Sequence, residues 1–229
     1  MTLLCIPGLG TDCTVFSELL NHICYDNLIS LNFEDEIIKG CGSLSVYADK
    51  LIQKYNLNEI DGDIIILGFS LGGLVGVELS RKIKHKKLFL LSSIKVRQEV
   101  PGIFYVARKI QIYRFVPLWF SRNIVPLLGR ISGEMDLNGY KLYKKMLKGW
   151  TFNKFFWARK MALNWENTEK PENCIHIHGS RDLIFPFKKS RPDYIIKNGT
   201  HNMVLTRAAD IAAILNEELN SFHPEKIVV

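Results

Sequence analysis

The sequence is short of the features that mark membrane-spanning, secreted or metal-binding chains. No apolar run approaches the roughly 18 to 20 residues needed to span a bilayer. The five cysteines, Cys5, Cys13, Cys24, Cys41 and Cys174, are odd in number and scattered, and no CxxC pair opens a zinc or redox motif. Reduced thiols in a cytoplasm are the state this implies, with no metal expected. The opening Met1-Thr-Leu-Leu-Cys5 looks like a lipoprotein cleavage box but lacks a basic n-region and an apolar stretch of signal-peptide length, so it reads as a strand. There is no internal repeat and no low-complexity tract. Acidic residues are scarce in one place: residues 95–165 hold 14 Lys or Arg against 3 Asp or Glu, while the rest holds 16 against 20. The net charge of +7 therefore describes a basic insertion in a mildly acidic body.

What is present suits a single domain. At 229 residues and 47% apolar composition, the chain can bury a substantial core. Apolar runs of strand length, at 2–6, 27–31, 63–67, 87–91, 174–178 and 194–197, alternate with helical patterns, which favours a mostly parallel sheet of about six strands flanked by helices. Asp12 and Ser43 are candidate N-caps for helices over 13–22 and 44–55. Further helices are expected from Ser70 to about Lys84 and over 207–219. Residues 95–165 break the alternation: fourteen aromatic residues sit among the basic ones, with Pro101, Pro117 and Pro126 as breakers. Several short helices fit this better than strands, forming a lid between the third-last and second-last strands, with boundaries near Ser93 and Asn167.

Gly68-Phe-Ser70-Leu-Gly72-Gly73 is a GxSxG sequence led in by the apolar run Ile64–Leu67 and led out by a helical pattern. A nucleophile elbow needs that context, because the chain turns sharply at the serine and glycines two residues either side relieve the crowding. A strand-to-helix turn with a capping serine is the competing reading. A serine hydroxyl is a poor nucleophile until a base takes its proton. Of the six histidines, His201 follows the last expected strand, late in the chain. His22 and His85 sit at helix ends, His176 and His178 read as structural, and His223 is a weak substitute. The base in turn needs a carboxylate to fix its tautomer, and Asp182 lies in the loop after the 174–178 strand; its competing role is a turn aspartate. Backbone N–H groups of Leu71 and of Leu9, in the loop Pro7-Gly8-Leu9-Gly10, are the expected oxyanion donors. Leu9, Ser70, Asp182 and His201 each follow the C-terminal end of a different strand, so in a parallel sheet all four meet at one edge.

Ile6-Pro-Gly-Leu-Gly10, Gly68-Phe-Ser-Leu-Gly-Gly73, His178-Gly-Ser-Arg-Asp182 and Gly199-Thr-His201 together resemble the α/β-hydrolase superfamily over nearly the whole chain. The resemblance implies that fold, a Ser70–His201–Asp182 triad and a cap at 95–165. It implies no substrate, since the fold hosts many activities. Two departures stand out: the sequence opens on the strand before the oxyanion loop, so the sheet should be smaller than usual, and Pro7 replaces the usual histidine. A serine at the elbow argues against dehalogenases and epoxide hydrolases, which use a carboxylate there.

The expected activity is hydrolysis of a small-molecule carboxylic ester through an acyl-enzyme, without metal or organic cofactor. An acyl thioesterase, or an esterase acting on a methyl ester linked to an acidic carrier protein, is the enzymatic alternative, and a ligand-binding protein on the same scaffold the non-enzymatic one. The basic lid, with Lys141, Lys144, Lys145 and Lys148 clustered in it, suits an acidic carrier protein or an anionic membrane surface. Its plain alternative is aromatics packed on the body with Lys and Arg facing water. No motif points to nucleic acid.

Overall fold

The computed structural model describes residues 1–220. Six strands, β1 (Thr2–Ile6), β2 (Asn27–Ser30), β3 (Ile64–Phe69), β4 (Lys87–Leu91), β5 (Cys174–Gly179) and β6 (Tyr194–Ile196), form one sheet in the order β2-β1-β3-β4-β5-β6. Every neighbouring pair is parallel. All residues of β1, β3 and β4 are buried, which is why these strands read as unbroken apolar runs rather than alternating ones. Between β1 and β3 the strand order reverses direction, and open parallel sheets bind their ligands in the crevice at such a point. The register continues across the sheet, pairing Ile6 with Gly68, Gly68 with Leu90 and Leu90 with His176. The loops that leave β1, β3 and β5 therefore begin at one level on one edge.

The helices follow from local chemistry. Ser43 Oγ accepts the Val46 N–H at 3.2 Å and caps α1 (Leu44–Lys54). Helix α2 (Leu71–Ser80) leaves the end of β3 and buries all but its last residue, consistent with its almost wholly apolar sequence. It ends at Ser80 rather than near Lys84. The helix expected over 13–22 is instead a 3₁₀ turn at Cys13–Phe16 and a short α-helix at Ser17–Leu20. Asp12 Oδ1 still caps it, accepting the Thr14 N–H at 2.9 Å.

The stretch between β4 and β5 is helical, as the prolines and aromatics suggest. It carries α3 (Gly102–Lys109), a continuous helical run over 118–131 that ends in α4 (Val125–Ile131), then α5 (Leu137–Met146) and α6 (Phe152–Asn164). The 120–124 part of that run is π-helical. The described residues end on α7 (Ala208–Asn220).

Three tryptophans clamp this stretch to the body, and each buries its ring while its N–H finds an acceptor. Trp150 donates to Thr11 O at 2.9 Å, Trp157 to Cys41 O at 2.9 Å and Trp165 to Glu78 Oε1 at 2.7 Å. The Trp157 ring also lies 4.9 Å from that of Tyr47 and 6.0 Å from that of Phe33. Not all the aromatics pack this way: Phe115 and Trp119 are exposed. Truncating Trp157 to Ala should lower the unfolding free energy by about 3–5 kcal/mol. Trp119→Ala should stay within about 0.5 kcal/mol, and urea melts of the two variants against the parent check both values.

Candidate active site

The elbow after β3 is built from missing side chains. Ser70 adopts φ 52° and ψ −116°, a conformation that a residue with a Cβ holds only when its surroundings enforce it. A Cβ at Gly68 would lie 2.6 Å from Gly72 O and from the Gly73 Cα, and one at Gly72 would collide with the carbonyls of Ile6 and Pro7. Both positions must therefore be glycine for β1, β3 and α2 to approach this closely. The turn is fixed from outside by Ser70 N–H donating to Leu91 O at 2.9 Å and by Ser93 Oγ donating to Ser70 O at 2.7 Å.

The resulting geometry brings the three sequence-derived side chains together. Ser70 Oγ lies 2.9 Å from His201 Nε2, and His201 Nδ1 lies 2.9 Å from Asp182 Oδ2. Since a carboxylate can only accept, Nδ1 carries the proton and Nε2 is left to accept from the serine. The imidazole stands between the rings of Phe69 and Phe185, at centroid distances of 5.6 and 5.8 Å. The loops that carry Asp182 and His201 are tied together: Arg181 N–H donates to Gly199 O at 2.8 Å, Ser180 N–H to Ile196 O at 3.0 Å and Asn198 N–H to Ser180 Oγ at 2.9 Å.

Asp182 is buried and saturated with donors. Its Oδ1 accepts the N–H groups of Ile184 and Phe185 at 2.8 and 2.9 Å. Its Oδ2 meets both His201 and His178 Nε2, the latter at 3.1 Å. Burial alone would raise the Asp182 carboxyl, but the electrostatic attraction of the adjacent His201 and the hydrogen bonds from His178 and His201 outweigh it and hold it well below the usual carboxylate range. The turn contacts and the contact with His201 thus coexist, one on each oxygen.

His178 is closer to the chemistry than its position in the sequence suggests. Its Nε2 also lies 2.6 Å from Phe185 O, so that nitrogen carries a proton, and Nδ1 sits 3.0 Å from His176 Nε2. Burial, with His178 beside it, pushes the His176 imidazole well below its ordinary value and keeps it neutral. His22 is exposed and His85 half-buried, away from the serine, while His223 lies outside the described residues.

Glu134, from the turn between α4 and α5, is a residue that sequence reasoning missed. Its Oε2 accepts the backbone N–H of His201 at 2.9 Å, and its carbonyl accepts Thr200 Oγ1 at 3.0 Å. The histidine loop is therefore held from above by the inserted stretch. No local motif marks this glutamate, since its partner is 67 residues away.

Ser70 and His201 open into a cavity of about 550 Å³ that Leu9 and Leu71 also line. Its other walls are mostly apolar, among them Leu74, Phe104, Met135 and Phe185. Among the described residues, Glu134 is the one acidic residue in its wall, and no Lys or Arg lines it. The basic character of the insertion therefore lies outside the cavity. Lys141, Lys145 and Lys148 are exposed, while Lys144 Nζ donates to Arg122 O at 2.7 Å and to Asn123 Oδ1 at 2.9 Å, bracing the 118–131 run. Among the described residues, no group of three His, Cys, Asp or Glu is placed to hold a metal ion, and no helix is long and apolar enough to cross a membrane.

No protein-family model matches the chain, and no curated protein matches it by sequence. Solved structures do match by shape. A thermophilic esterase from Thermogutta terrifontis superposes with a TM-score of 0.77 at 15% identity, over 97% of this chain and 90% of that one. A meta-cleavage product hydrolase from Pseudomonas fluorescens IP01 gives 0.70 at 13% identity, over 97% and 92%. A lipase-esterase related protein from Clostridium acetobutylicum ATCC 824 gives 0.65 at 17%, over 94% and 93%. The parallel six-stranded sheet with its flanking helices and these superpositions lead to one conclusion: this chain has the α/β-hydrolase fold.

Proposed function

We propose that the chain is a serine hydrolase that cleaves a carboxylic ester of an uncharged, apolar acyl group, with residues 95–165 serving as the cap over its cavity. The observation that carries this reading is the continuous chain from Ser70 Oγ through His201 to Asp182, at 2.9 Å per step, at the head of an apolar cavity. Ser70 Oγ attacks the ester carbonyl carbon while His201 Nε2 takes its proton. The carbonyl oxygen becomes an oxyanion, and the backbone N–H groups of Leu9 and Leu71 are the proposed donors to it. Collapse breaks the bond to the alkoxy oxygen, and that oxygen leaves with the proton held on His201. Water then repeats the sequence on the acyl-serine, with His201 as base, and frees the acid. Asp182 stays ionised throughout and stabilises the imidazolium. No step calls for a cofactor.

The strain at Ser70 supports catalysis over mere binding. A non-glycine residue at φ 52° costs of order 1–3 kcal/mol, and ligand binding alone does not require it, whereas a nucleophile gains from it by standing clear of the sheet. The absence of Lys and Arg from the cavity wall supports an uncharged acyl or alkyl group. Free thiols on all five cysteines support a reducing compartment, and we place the protein in the cytoplasm on that ground.

p-Nitrophenyl esters of graded chain length test the proposal. Turnover should rise from acetate to medium-chain esters and fall by about 10⁴- to 10⁶-fold in Ser70→Ala. Unchanged turnover in that variant would place the chemistry elsewhere. Asp182→Asn should lower kcat by about 10³- to 10⁴-fold with little change in KM, because the amide no longer fixes the imidazole tautomer. Asp182 also links stability to pH. Its folded carboxyl titrates below the ordinary value of about 3.9, so its contribution is complete above that value and is lost as pH falls below it toward the folded value. The stability gap between the parent and Asp182→Asn in urea melts should accordingly narrow steadily as pH drops from about 5 toward about 2. Glu134→Ala should cost about 10- to 100-fold in kcat by loosening the histidine loop, and Glu134→Gln, which keeps an acceptor oxygen for the His201 N–H, should restore most of it.

A further inference from the structure

The stretch 102–131 contains five Lys or Arg and no Asp or Glu, and it leaves an unusual amount of apolar surface in water. Helix α3 buries none of its residues. Ile103, Val106 and Ile110 recur at helical spacing and are all exposed, while Phe104 turns inward and stacks on Phe185 at 5.6 Å. Phe115 is 74% exposed and Trp119 61%. The helical run that begins beside Trp119 buries only Ser121 and Pro126 fully. At its far end Leu128 and Ile131 reach the cavity mouth, where Leu183 meets them from the loop after β5; Ile131 and Leu183 are 73% and 74% exposed. Apolar residues grouped in this way mark a binding surface rather than the scattered exposure normal for a soluble chain.

Charge decides among the partners such a surface can take. Lys109, Arg114 and Arg130 are exposed among these apolar residues. Arg108 is engaged by Glu166, and Arg122 donates to Trp150 O at 2.7 Å. A second copy docking through a two-fold axis would set these cations against their own counterparts with no carboxylate from the same stretch to offset them. Aromatic and aliphatic side chains interleaved with cations instead match a layer whose surface is anionic and whose interior is apolar. One end of the surface, at Val125, Leu128, Ile131 and Leu183, lines the mouth of a cavity suited to an apolar chain, so a chain leaving such a layer at that end would reach Ser70 without crossing water.

We propose that residues 102–131, with Leu183, form a docking surface for an anionic phospholipid layer, and that the enzyme draws its ester from or at that layer. The second clause rests on the hydrolase reading; the first does not.

The full chain should float at low salt with vesicles of phosphatidylcholine containing about one third phosphatidylglycerol, and bind pure phosphatidylcholine at least about tenfold more weakly. Binding should fade near 1 M salt, where screening shrinks to about 3 Å. Trp150, Trp157 and Trp165 are buried, so a blue shift of tryptophan emission on binding reports Trp119; it should vanish in Trp119→Phe while flotation persists. Phe115→Ser with Trp119→Ser should weaken partitioning at least about tenfold, and Lys109→Gln and Arg114→Gln by about fivefold each. All these variants should keep the parent's turnover of a soluble short-chain ester, which shows that they fold. Failure to float with the anionic vesicles would overturn the proposal, as would undiminished binding in Phe115→Ser with Trp119→Ser. So would a stable dimer in sedimentation equilibrium that this double variant abolishes, since a second copy would then cover the face. Flotation is read without turnover: a chain that binds vesicles but cleaves no ester refutes the hydrolase reading alone, and one that cleaves soluble ester but ignores vesicles refutes this proposal alone.

Discussion

The left-handed turn at Ser70 is the constraint on which the rest of the structure depends. It exists because β3 is buried on both faces, α2 must start at once, and the carbonyls of Ile6 and Pro7 stand where any side chain at position 72 would go. Those same carbonyls belong to the end of β1, so the close approach that forces a glycine also sets the Leu9 loop beside the serine. Ser93, just after β4, holds the Ser70 carbonyl, and the paired loops after β5 and β6 deliver Asp182 and His201 at a fixed separation. Strain at one residue is thus sustained by a sheet whose strand ends share a level.

Polar groups around the histidine are arranged to leave it one task. Asp182 receives four donors, so its charge is stable and its carboxyl cannot rotate away. His178 and the neutral His176 continue that network into the interior, and Phe69 and Phe185 keep the imidazole plane in place. Glu134 holds the backbone of His201 from the other side. Docking of the insertion and placement of His201 are therefore coupled through a single residue, Glu134, a link that neither composition nor charge would suggest.

How much of this was legible in the sequence follows from the range of the interactions. The six strands and the elbow were readable because burial on both faces leaves uninterrupted apolar runs and because GxSxG is short. Their shared edge followed from parallel pairing alone. The helix expected over 13–22 begins as a 3₁₀ turn, becomes α-helical at Ser17 and ends at Leu20, two residues short of His22. Glu134 was invisible because its partner is distant in sequence, and His178 was read as merely structural because its contact with Asp182 spans a loop whose course no pattern fixes. Within the insertion, Trp157 and Trp119 look alike in a sequence; only packing separates the ring buried against Tyr47 from the one left in water. The lysines shared that ambiguity, since Lys144 proves to be a brace and its neighbours are exposed.

The central claim is that Ser70 is a nucleophile activated by His201 and oriented by Asp182. Its most direct test is reaction of the folded chain with an alkyl fluorophosphonate, followed by intact mass and peptide mapping. The account predicts one adduct per chain, located on the peptide that carries Ser70, and no such adduct in urea-unfolded protein or in Ser70→Ala. A folded chain that stays unmodified, or an adduct on any other residue, would contradict it.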